Sequence, residues 1–162
     1  MLNLLHIFTA AGPQLAVLAL GLMMLCPDAQ AAYDMPELPL QFDASLNHAR
    51  RACLDEGGTR LTIAKDAMQV IGPIKKGRYI VALDFHKVKC HGIENAFCGT
   101  EGCELVVLLK TNNRYALIFQ RRAISYKFLA KIQSMTFRVH GTYCGKAGTD
   151  LCLQTIKLAA SK

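Results

Sequence analysis

The amino-acid sequence predicts an α+β domain: an N-terminal amphipathic helix packed on an antiparallel β-meander and stapled by disulfides. Three observations carry that expectation. Apolar residues recur at helical spacing over Phe42, Leu46, Ala49 and Cys53, and beyond Gly58 the apolar period changes to two. Six of the seven cysteines lie after residue 50, and three of those six fall within Cys90 to Cys103, CHGIENAFCGTEGC. That stretch holds three glycines and no long apolar run. It cannot be the interior of a helix or strand, so bridges rather than packing must fix its shape.

Residues 1–31 read as a cleaved secretory signal. An apolar run from Leu15 to Leu25 is followed by Pro27 and by Ala29-Gln30-Ala31, an A-x-A site before Ala32. No Lys or Arg precedes the run, so the N-terminal amine supplies the positive charge. A retained transmembrane helix is the alternative, but Gly12-Pro13 interrupts the segment, no basic cluster follows, and the run falls short of the roughly 20 residues a span needs. A lipoprotein anchor at Cys26 is disfavoured by Leu25, which stands where a small residue is required. Cleavage leaves 131 residues with 19 basic and 11 acidic side chains, a formal charge of +8, and no membrane span. That is one domain's worth of chain, able to bury about two thirds of its unfolded surface in a single core. Its six cysteines then predict disulfides in an oxidising compartment, periplasmic or secreted.

The domain is expected over 42–162, after an extended lead-in, 32–41, that contains Pro36 and Pro39. Asp43 is a candidate cap for the helix and Gly57-Gly58 its stop. Leu61 to Ala64 and Ala67 to Ile71 are short strand candidates, the second broken by Gly72-Pro73. From Arg78 to Phe85, Tyr79, Val81, Leu83 and Phe85 alternate with Arg78, Ile80, Ala82 and Asp84, a strand with one well-buried face. Leu105 to Leu109 is apolar on both faces and reads as a central strand. Asn112-Asn113 suits a tight hairpin into Arg114–Gln120, where Tyr115, Leu117 and Phe119 would share a face. Residues 123–130 read as strand in preference to a short helix. Met135, Phe137 and Val139 mark another strand ending at Gly141, and Leu151 to Leu158 is the last.

Six cysteines allow 15 pairings. Proximity ranks them: Cys98 with Cys103 and Cys144 with Cys152 each bracket a glycine-containing loop, which leaves Cys53 to Cys90. The segments FCGTEGCELVVLL and HGTYCGKAGTDLC resemble a family of small exported proteobacterial domains, in which a Phe-Cys-Gly…Gly-Cys corner precedes a hairpin and a His-Gly…Cys-Gly…Cys segment closes the domain. The likeness spans roughly Cys53 to Cys152. It implies architecture and export, and no activity. Members of that family carry an Asp-x-Asn-x-Asp-Gly stretch, similar to a calcium loop, before the strand leading into the corner. Here the corresponding residues are Gly72-Pro73-Ile74-Lys75-Lys76-Gly77-Arg78, with bases where oxygen ligands are required, which argues against calcium.

The common catalytic and cofactor signatures fit poorly. His91 beside Cys90 and His140 near Cys144 raise zinc, but cysteine pairs separated by four and seven residues in an oxidised chain are not finger or ribbon spacing. No metal or other cofactor is therefore expected. Neither Ser125 nor Ser134 lies in a nucleophile elbow. Gly99 and Gly102 open no helix that could cradle phosphate. Glu94, Glu101 and Glu104 cluster at the corner, which a solvated loop explains. With His91 or His140 they define the alternative reading, an envelope hydrolase.

Basic residues supply the remaining signal. Arg114, Arg121, Arg122, Lys127 and Lys131 fall in a hairpin-sized window interleaved with Tyr115, Phe119, Tyr126 and Phe128, a pattern suited to an anionic partner. Export disfavours nucleic acid and leaves envelope polyanions, acidic headgroups or an acidic envelope protein. The bland explanation is that these charges keep a sheet edge soluble. The sequence thus predicts a small exported binding or inhibitor module rather than an enzyme, acting through its stapled loops or its basic hairpin.

Overall fold

A computed structural model describes residues 39–75, 77–146 and 150–158. The signal segment 1–31 and most of the lead-in 32–41 lie outside the described residues. Among the described residues one α-helix, α1 (Leu40–Asp55), precedes ten strands. These are β1 (Arg60–Ile63), β2 (Met68–Lys75), β3 (Arg78–Asp84), β4 (Val88–His91), β5 (Cys98–Gly99), β6 (Gly102–Thr111), β7 (Arg114–Ala123), β8 (Ser125–Leu129), β9 (Ser134–His140) and β10 (Leu151–Lys157). The α+β class fits. The helix starts at Leu40, within the expected lead-in, and its cap position is Pro39, with no side-chain cap. Asp43 instead sits in the first turn, where it favours the positive end of the helix dipole and accepts a hydrogen bond from Asn47. Gly57, at φ 90°, ends the helix as its sequence suggests.

The described strands form three antiparallel sheets rather than one meander. β2, β3 and β6 are consecutive neighbours, with β5 and β7 also paired to β6; β8, β9 and β10 make a second sheet; β1 and β4 make a two-stranded ribbon. The five-stranded sheet is covered on both faces. On one, Phe42, Leu46, Ala49 and Cys53 of the helix pack with Leu83, Val106 and Leu108 and with Val88 and Cys90 of the ribbon. On the other, Ile80, Ala82, Leu105 and Val107 meet Met135, Phe137 and Val139 of the second sheet. β6 is thus the central strand its two apolar faces predict. β3 departs from expectation, because Ile80 and Ala82 are as fully buried as Leu83 while Tyr79 is exposed. Its supposed outer face is covered by the second sheet.

Two local corrections follow from register. β2 runs through Gly72-Pro73, with shifts on either side of Pro73. Among the described residues it borders only β3, so the missing N–H of proline can fall on a free edge. In β7, Leu117 pairs with Leu108 but Phe119 with Val107, leaving Ile118 as an extra residue. That bulge reverses the alternation. Tyr115 packs toward the helix side and Phe119 stacks on Phe137 of the second sheet, with ring centroids 3.9 Å apart, so the expected shared face of Tyr115, Leu117 and Phe119 does not exist.

The structure joins Cys53 to Cys90, Cys98 to Cys103 and Cys144 to Cys152. The first ties the end of α1 to the ribbon, and Gly58 lies against it: a Cβ there would overlap the Cys90 sulfur. No helix among the described residues is long and apolar enough to cross a membrane.

Candidate functional site

The five basic residues singled out in the sequence are not gathered on one surface. Arg114 opens β7 opposite Thr111, at the hairpin where Asn112 takes φ 53°. Arg121 and Arg122 are consecutive in a strand and project to opposite faces. Arg122 pairs with Glu104 and approaches Gly99, on the side toward the helix. Arg121 pairs with Leu105 and lies over two rings, 5.8 Å from the centroid of Phe119 and 5.3 Å from that of Tyr143. Lys127 stands on the outward face of β8, alongside Thr136 of β9, and Lys131 lies on the 3-10 turn Ala130–Ile132 after β8.

None of the five makes a salt bridge among the described residues, where the ion pairs are His86 with Asp84 and Lys87 with Asp66. Other bases join Lys127 on the outward face of the second sheet. Strand alternation places Arg138 of β9 and Lys157 of β10 there, both exposed. Sequence reasoning missed these two, though a signal was present. From residue 105 to 162 the chain holds ten Lys and Arg against one acidic residue, Asp150. Over 32–104 it holds nine against ten, so the net positive charge belongs wholly to the last 58 residues.

Around Arg121 the side chains are tied down. Tyr143 donates from its hydroxyl to Glu101 at 3.1 Å, while Gln154 donates to the Tyr143 carbonyl at 3.0 Å. Burial first, then the Glu101 carboxylate, pushes the Tyr143 phenol up. A groove of about 370 Å³ opens beside this cluster, lined by Leu117, Ile118, Phe119, Gln120 and Arg121 of β7 and by Gln154 and Ile156 of β10.

The corner carboxylates do not assemble with the two histidines paired with them in the sequence reading. His91 contacts the Thr62 hydroxyl at 2.8 Å and His140 that of Thr142 at 3.0 Å. Among the described residues the histidine that contacts a carboxylate is His86, 2.8 Å from Asp84. Glu104 is half-buried, and its carboxyl is raised by that burial, with His48 and Arg122 opposing the shift. No group of three His, Cys, Asp or Glu among the described residues is arranged to hold a metal ion. A second cavity of about 300 Å³ lies at the corner itself, walled by residues that include Phe85, His86, Cys90, Glu94 and Phe97.

Comparisons with protein-family models, with curated proteins and with solved structures give no match.

Proposed function

We propose that this chain is an exported binding or inhibitor module of the bacterial envelope that engages an anionic or acidic partner, and that its role is binding rather than catalysis. The observation that carries the reading is the charge distribution. Ten bases against one acid over residues 105–162 create a positive field at β7 and the second sheet, and the five sequence-nominated bases have no intramolecular salt bridge among the described residues. Such a field attracts acidic partners and accelerates encounter. Three disulfides support the export half of the reading, because they persist in oxidising compartments. They also hold the loops rigid, which reduces the ordering cost of binding.

The test compares the wild-type chain with Arg121→Glu/Arg122→Glu and Lys127→Glu/Lys131→Glu in capture of acidic proteins and polyanions from a periplasmic extract. The captured species should be anionic, should elute with salt, and should be reduced in both variants. Capture indifferent to salt and to both double substitutions would overturn the reading.

A further inference from the structure

Resting on that reading of an acidic partner, we propose that the groove between β7 and β10 takes an extended, carboxylate-bearing peptide segment as an added strand on β7, with Arg121 receiving the carboxylate. The position of the groove is the first argument. Five consecutive residues of β7, Leu117 to Arg121, line it. Consecutive strand residues point to opposite faces, so an opening that touches all five lies at the edge of the strand, not on a face. That edge is open, because β7 pairs with β6 and with no other strand among the described residues. The opposite wall is β10, which lines the groove with Gln154 and Ile156, two residues of one face. The β7 wall is therefore a free strand edge with backbone N–H and C=O groups to offer.

Register supplies the second argument. The bulge at Ile118 lies at one end of the groove, and from Phe119 to Ala123 the pairing with Cys103–Val107 is unshifted. A strand added in the groove along Phe119–Arg121 meets regular geometry and reaches Arg121 at its end. The Arg121 guanidinium is held over the Phe119 and Tyr143 rings, and Tyr143 is fixed by Glu101 and Gln154. It has no carboxylate within salt-bridge distance among the described residues. Stacking against rings leaves guanidinium N–H groups free for a carboxylate, for which their planar fork is matched.

The charge excess of residues 105–162 selects an acidic segment over a basic one. The backbone edge selects an extended peptide over a lipid headgroup or sulfated glycan, since only a peptide can continue the ladder.

The test uses the full exported chain and a nine-residue probe peptide of alternating valine and glutamate. A second probe has the same sequence with every backbone nitrogen methylated, which retains the charge and removes the donors. The unmethylated peptide should bind at least about tenfold more tightly and slow amide exchange within Phe119–Arg121. Arg121→Ala should weaken binding about tenfold, and Arg121→Lys should restore only part of the loss, with melting temperatures near wild type. Equal, salt-sensitive binding of both probes would overturn strand addition and leave the acidic-partner reading standing. Binding of neither probe at low salt would overturn both. Slowed exchange of the β7 edge without peptide, together with a dimer in sedimentation, would assign the edge to a second copy and overturn the proposal.

Discussion

Glu104 on β6 and Tyr126 on the second sheet's inner face lie on opposite sides of the five-stranded sheet, and each is displaced from its ordinary titration by burial. The Tyr126 phenol is pushed up to about 12, first by burial and then by the Asp84 carboxylate beside it. Because its folded value lies above its unfolded one, the stability it contributes is intact below about pH 10 and is lost as pH rises toward 12. Ultraviolet titration of the native protein should show a late phenolate step that Tyr126→Phe removes; a Tyr126 that ionises near 10 would contradict the packing described. Glu104 follows the same sign at lower pH. Its raised carboxyl favours the fold below the unfolded value of about 4.3, and this contribution is lost as pH rises through the folded value. Glu104→Gln should therefore melt no lower than wild type at pH 7, and the comparison should shift in favour of wild type at pH 3. A large loss at pH 7 would mean that Arg122 and His48 outweigh the burial.

At the scale of elements, the disulfides differ in the chain they close. Cys53 and Cys90 are 37 residues apart, against 5 for Cys98–Cys103 and 8 for Cys144–Cys152. In the chain-entropy account the long bridge contributes about 4 kcal/mol and the short ones about 2 to 2.5. Melts of the three double Cys→Ser variants should rank accordingly, and equal losses would contradict that account. Gly102 offers a sharper local test. It holds φ 95°, and a Cβ there would overlap the Ala123 carbonyl where the corner turns into β6, so Gly102→Ala should cost about 1–3 kcal/mol in a denaturant melt. The helix, the central strand and the Asn112 hairpin were legible because each is written in a local period or turn residue. The bulge at Ile118 was not, because a skipped residue is defined only against the partner strand. Without it, Tyr115, Leu117 and Phe119 read as one face. The covering of Ile80 and Ala82 was hidden for a related reason: alternation tells which residues share a face, not what lies over it.

At the scale of the molecule, the domain is uneven in charge. The helix, the ribbon and the corner are near neutral, while β7 to β10 hold most of the excess. Five of the basic positions were legible in the sequence as a cluster, but only the fold separates Arg121 from Arg122 and brings Arg138 and Lys157 onto the outward face with Lys127. A chain that needed charge only to stay soluble would have no reason to select among polyelectrolytes beyond their sign. One that offers a strand edge and a positioned arginine should prefer an acidic polypeptide to other polyanions of similar charge density. The most direct measurement is therefore the affinity of residues 32–162 for poly-L-glutamate, heparin and poly-L-lysine as salt is raised from low to physiological concentration. The account predicts binding to polyglutamate that weakens with salt, exceeds binding to heparin and falls with Arg121→Glu/Arg122→Glu, and no binding to polylysine. Polyglutamate binding that is absent at low salt, or unchanged by salt and by the two substitutions, would contradict it.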